Sequence, residues 1–154
     1  MRWAIAVAAA AFLVLPGAAS AATSNDTVGG IELPSSDITT TGNFAGAASG
    51  DLPGLWFAQV VHDPLVYSLN TPTHISGGSF TLLTSTGSTV SSTITTGSVT
   101  PTSLPSTCSN QTFTLSLTLN NGTFNGTLTH LRVSLFGSCI TFFATVTGSA
   151  TLNT

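Results

Sequence analysis

The side chains with the widest chemical reach in this sequence are His130 and Arg132, two positions apart in a run that begins Thr127-Leu128-Thr129. Residues i and i+2 of an extended strand share a face, so an unbroken strand would aim an imidazole and a guanidinium at one point. Beside Phe113 and Leu128, such a pair could bind a carboxylate or polarise a carbonyl, with His130 as acid-base and Arg132 as anion anchor of an isomerase- or cyclase-type enzyme. His62-Asp63 is the other titratable pair. Adjacent strand residues point to opposite faces, so before Pro64 this pair reads as a strand end and turn instead of a catalytic dyad. His74 falls in an apparent loop over residues 72–78. The spacing of the three histidines predicts no metal site, and there is no nucleophile-elbow, dinucleotide-binding or phosphate-loop run. The residues therefore assign no catalytic group, cofactor or metal, and leave His130 and Arg132 as candidate ligand-binding residues.

Charge narrows the field further. The only basic residues are Arg2 and Arg132, whereas serine (20) and threonine (28) supply the polar surface. Phosphate, nucleic-acid and anionic-membrane partners select for clustered lysine and arginine, so nucleic acid is not an expected partner. A small apolar or neutral ligand fits better.

Arg2, the apolar residues 4–15 and Ala19-Ser20-Ala21 have the order of a secretory signal peptide over residues 1–21. No second long apolar run follows, so no membrane span is expected and the chain reads as secreted. Cys108 and Cys139 are the only cysteines, and in an oxidising compartment they are expected to pair. Residues 22–35, with Gly29-Gly30 and Pro34, read as a flexible lead-in to a single domain over residues 36–154.

The elements that must carry these residues are strands. Phe113, Leu115, Leu117 and Leu119 alternate with threonine and serine, and Ile140, Phe142, Ala144 and Val146 alternate with Thr141, Thr145 and Thr147. This period of two predicts an all-β fold. Further strands are expected over residues 38–47, 55–62, 65–69, 79–84 and 89–99. Seven or eight such segments imply a single antiparallel β-barrel or, as the alternative, a two-sheet sandwich. Closure is favoured because a chain without lysine cannot protect open edges by charge.

Two turns make a sharper prediction. A hairpin at Asn121-Gly122 would set Leu117 opposite Gly126 and turn the even-numbered residues of the next strand inward, whereas one at Gly137-Ser138 would turn the odd-numbered ones inward. Both hold only if a residue is absorbed between them, and a β-bulge is expected between Leu128 and Leu131. That bulge would put Arg132 on the outer face over Phe143. The loop after Cys108 would then fold under a strand end, so that the disulfide plugs the barrel.

Gly54-Leu55-Trp56 at a strand start, with a lone late arginine, is similar to the calycin barrels (lipocalins and avidins), in which an early tryptophan packs under a late arginine. The resemblance implies a ligand cavity without catalysis and makes Trp56 a candidate ligand-binding residue beside His130 and Arg132. Three functions follow as expectations. The first is a secreted, non-enzymatic barrel that binds a small ligand or serves as an extracellular surface component. The second is the enzyme sketched above, and the third is adhesion, or ice or polysaccharide binding, through a flat threonine-rich face.

Overall fold

The computed structural model describes residues 22–34, 39–103 and 108–154; residues 1–21, expected to be a signal peptide, lie outside them. Eight strands, β1 (Thr23–Leu33), β2 (Thr41–Gly50), β3 (Gly54–His62), β4 (Thr73–Thr84), β5 (Thr89–Pro101), β6 (Gln111–Leu119), β7 (Gly122–Leu135) and β8 (Ser138–Asn153), form a closed barrel in chain order. Every pairing is antiparallel, and β1 closes the ring against β8. The described residues contain no helix long and apolar enough to cross a membrane.

The expected lead-in over residues 22–35 is corrected: it is β1, paired on both edges, and the barrel starts there and not at residue 36. Its inner face carries Ser24, Asp26, Val28, Gly30 and Glu32, so the apolar alternation that marks the other strands is absent. Asp26 is buried and accepts the Leu52 N–H at 2.7 Å, tying β1 to the turn between β2 and β3. Gly30 leaves room for a ring, since a Cβ there would lie 2.6 Å from Trp56. Residues 65–69 are not a strand either; they belong to the connection between β3 and β4, and β4 already begins at Thr73.

Both predicted hairpins are displaced by one residue. The β6–β7 loop is Asn120-Asn121, with Leu119 opposite Gly122 and Leu117 opposite Phe124. Asn120 is held there because its Oδ1 accepts from the Ser92 hydroxyl at 2.7 Å and the Thr93 N–H at 2.9 Å on β5. The β7–β8 loop is Phe136-Gly137, with Leu135 opposite Ser138 and φ of 50° and 80° at its two residues. Positive φ at both positions matches the twist of the flanking strands.

Each register thus slips by two, which preserves facing, and the conflict between the turns still requires one extra residue. That residue is Phe142 on β8: Leu131 faces Phe143, whereas Arg132 faces Thr141. The bulge expected between Leu128 and Leu131 on β7 is corrected accordingly. β7 pairs through without an inserted residue.

The lower half of the barrel, at the tight β2–β3, β4–β5 and β6–β7 turns, is packed solid. Trp56 stacks on Phe80 with ring centroids 6.1 Å apart, and Leu82, Leu117, Leu119, Phe124, Ala150 and Leu152 are buried around them. Phe124 lies over the bare backbones of Gly126 and Gly148, where an added Cβ would come within 2.7 Å of its ring. Such aromatic cover lets paired strands curve tightly without leaving a void.

Candidate functional site: the upper half of the barrel

Above the packed layer the strands surround a cavity of about 500 Å³ that opens at the rim. Phe44, Val60, Ile75, Val99, Leu115 and Leu128 supply apolar walls, and Glu32, His62, Tyr67, His130 and Thr141 are its polar lining. The β1–β2, β3–β4 and β5–β6 connections at this end are longer than the turns below, and the β7–β8 connection beside them is a two-residue loop.

Facing explains which polar groups enter. On β3, Trp56, Ala58, Val60 and His62 share the inner face, so His62 enters at the top of the same column as the core tryptophan. Its Nδ1 bonds the Asp63 carbonyl at 2.7 Å. The strand-end role expected for His62 is therefore real at Nδ1, but the ring also lines the cavity. Beside it the β3–β4 register shifts between Val61 and His62, leaving Ser76 as the extra residue on β4. Both this bulge and the one at Phe142 lie at the upper end, where bulges re-aim side chains at the rims of barrels.

Glu32, not singled out by sequence, enters from β1. Burial raises its carboxyl above the ordinary 4.5, and the nearby His62 charge opposes that rise. His130 is buried on β7 against Phe113, centroids 4.8 Å apart. Burial, and secondarily the Arg132 guanidinium, push its imidazole below the ordinary 6.5. Strands β3 and β7 are four apart in a ring of eight, so His62 and His130 face each other across the barrel.

Arg132 departs from its expected place. With β7 unbroken, it keeps the inner facing of His130, opposite Thr141, and its backbone N–H donates to Asn110 Oδ1 at 3.2 Å. It is half-buried at the rim and does not line the cavity. The outward placement over Phe143 is corrected, since Phe143 faces Leu131.

Trp56 is buried in the packed lower half, where its Nε1 donates to the Gly29 and Ala47 carbonyls at 3.2 and 3.1 Å. It and Arg132 lie at opposite ends of the barrel, so the tryptophan-under-arginine arrangement of the calycins is absent. His74 lies on β4, exposed, with Nδ1 3.4 Å from the Gly97 carbonyl. Among the described residues no group of three or more His, Cys, Asp or Glu converges on a metal position.

No family model, curated protein or solved structure matches the chain. The site rests on its own geometry.

The rim is itself unusual. β6 pairing stops at Gln111–His130 and β1 pairing at Ile31–Thr145, so the β7–β8 hairpin above these levels is strand-paired only to itself. This projecting hairpin contributes Thr141, Phe142 and Phe143 to the cavity wall. Cys108 and Cys139 are disulfide-bonded, Cα atoms 5.3 Å apart, and staple the hairpin to the β5–β6 connection. Cys139 is exposed and neither cysteine lines the cavity, so the bridge braces the rim and does not plug the barrel. Phe136 at the tip is 98% exposed, and Leu135, Phe142, Val66, Tyr67 and Leu69 add further exposed apolar surface at this end.

The histidine environment has a measurable consequence. His130 is biased towards its neutral form, so its contribution to stability is complete above the ordinary value of 6.5 and is lost as pH falls from there towards the lowered folded value. The limiting slope is about 1.4 kcal/mol per pH unit for one proton. Glu32 has the opposite sign, its contribution being complete at low pH and lost as pH rises from 4.5 towards its raised value. Urea titrations from pH 7 to 5 should show wild type losing stability that His130→Gln does not lose. In Arg132→Gln the His130 resonance should titrate higher than in wild type yet still below 6.5, because burial is the larger cause; equal titration in the two would contradict the assignment.

Proposed function

We propose that this is an exported, non-enzymatic barrel that binds a small apolar or neutral molecule in its upper cavity. The observation that carries the reading is the division of the interior. Trp56, Phe80 and Phe124 fill the lower half, whereas the upper half keeps about 500 Å³ within apolar walls and a few polar groups. That volume falls in the range of small-molecule pockets, about 300–1,000 Å³. The signal-like N-terminal residues support export, and a disulfide is compatible with an extracellular location. A threonine-mediated surface role has less support: the hydroxyl face is wrapped round a closed barrel, and on β3 and β4 it gives way to exposed Leu55, Phe57 and Leu83.

Uptake of N-phenyl-1-naphthylamine, a neutral dye that brightens in apolar surroundings, tests the proposal. Wild type should bind it saturably. Val99→Trp, which projects an indole into the cavity from β5, should lose most of that binding while keeping the barrel's circular dichroism. Equal uptake by the two proteins would place the dye elsewhere and refute the reading.

A second reading, acid-base catalysis on an apolar substrate, is favoured by one observation: Glu32, His62 and His130 line the same cavity, and the environments of Glu32 and His130 shift their protonation. Divergent environments of this kind recur in proton-transfer sites. Arg132 at the rim would steer an anionic group, and His130 would exchange the proton. Turnover that survives Val99→Trp would count against the cavity as the site of either function.

A further inference from the structure

We infer that the cavity selects an apolar molecule carrying a hydroxyl, an uncharged hydrogen-bond donor seated between Glu32 and His62 over Gly42, and discriminates against carboxylates. This rests on the ligand-binding reading and adds the chemistry of the head group.

Glu32 on β1 and His62 on β3 are separated by β2, whose inner face presents Gly42 at this level. A Cβ on Gly42 would lie 3.7 Å from Glu32 Oε1 and 2.7 Å from the Phe44 ring. The carboxylate thus lies beside bare backbone, and the His62 imidazole stands beyond it on β3. Any larger residue at position 42 would occupy the space between them.

Of the cavity's polar lining, Glu32 and His62 border that space, and both offer it acceptors. Glu32, when ionised, only accepts. The His62 Nδ1 hydrogen is committed to the Asp63 carbonyl, which cannot donate, so the neutral ring presents Nε2 as an acceptor. A hydroxyl supplies the missing donor. A ligand carboxylate would instead bring a second negative charge beside Glu32, where the apolar lining weakens screening. The one nearby permanent cation among the described residues, Arg132, does not line the cavity, and it stands on β7, with β8 between it and β1. His130, on the opposite side of the barrel from His62, is biased towards its neutral form and so is a poor counter-ion for a carboxylate.

Displacement of N-phenyl-1-naphthylamine by a matched pair, 1-decanol and decanoate, at pH 8 tests the inference. In wild type, decanol should displace the dye at a concentration at least about tenfold lower than decanoate, the order expected for a hydrogen bond to a charged group set against like-charge repulsion. Glu32→Gln should bring the two within about threefold, chiefly by improving decanoate. Gly42→Ala, whose Cβ would enter the gap 3.7 Å from Glu32 Oε1 and push the Phe44 ring aside, should weaken decanol more than it weakens the dye. Equal or better displacement by decanoate in wild type, or an unchanged ratio in Glu32→Gln, overturns the inference while leaving the ligand-binding reading standing. A decanoate preference that vanishes in Arg132→Gln would move the head group to the His130 side of the rim and likewise overturn it. Failure of the dye to bind at all removes both.

Discussion

Replacing Phe113 with alanine should cost the barrel about 3–5 kcal/mol, the usual range for deleting a fully buried aromatic ring. Phe113 has no exposed surface and lies near the upper end of β6, one inward position above the cavity-lining Leu115. Its ring contacts His130 at 4.8 Å on one side and takes an edge-on contact with Tyr67 at 6.3 Å on the other. His130 and the neighbouring strands are held by their pairing and cannot collapse fully into the space, so the lost contacts add to the lost burial. A loss of this size approaches the whole stability of many small domains, about 5–15 kcal/mol. Chemical denaturation should show a midpoint far below wild type, and with it a His130 pKa closer to the ordinary value, because its ring becomes wetter. A shift of under about 1 kcal/mol, the scale of a surface change, would mean that Phe113 is not a core residue.

Removing the disulfide should have an effect of similar size. The bridge closes a separation of 31 residues, for which the chain-entropy model gives about 3–4 kcal/mol. Its local consequence is more specific. The hairpin above the His130 level has no strand partner outside itself, and an isolated two-stranded hairpin is marginal in water. Without the staple, Thr141, Phe142 and Phe143 would no longer form a steady cavity wall. Cys108→Ser/Cys139→Ser should therefore weaken dye binding even under conditions where the barrel remains folded, and amide exchange should accelerate in residues 131–143 before β2 or β3. Uniform exchange with unchanged dye affinity would contradict the bracing role.

How much of this could be read from residues alone depended on which face a strand turns inward. β6 and β8 were legible because their inner positions are Phe113, Leu115, Leu117 and Leu119, and Ala144 and Val146, set against threonine. The cysteines were legible because two lone cysteines in a chain expected to be exported have few uses other than pairing. β1 was not, since Ser24, Asp26, Gly30 and Glu32 give no apolar period and Gly29-Gly30 imitates a turn. Tertiary pairing with β2 and β8 overrides that local signal. The misreading also hid Glu32, half of the proposed polar pair. His62 was within reach: counting by twos from Trp56 through Ala58 and Val60 arrives at it. The Asp63-Pro64 sequence that follows drew attention to the turn instead. The conflict between the two hairpins was legible as a conflict, but not its resolution. Which strand carries the extra residue depends on how Phe142 and Phe143 sit at the rim, and that placement kept Arg132 on the inner side.

The central claim is that a small apolar molecule enters the upper cavity and not the exposed apolar wall formed by Ile31, Leu55, Phe57 and Leu83. Methyl-resolved NMR during titration with N-phenyl-1-naphthylamine separates these directly. The account predicts saturable shifts at the methyls of Ile75, Val99, Leu115 and Leu128, with those of Ile31, Leu55 and Leu83 unmoved. Shifts confined to the outer wall, or none at the four cavity methyls at saturating dye, would contradict it.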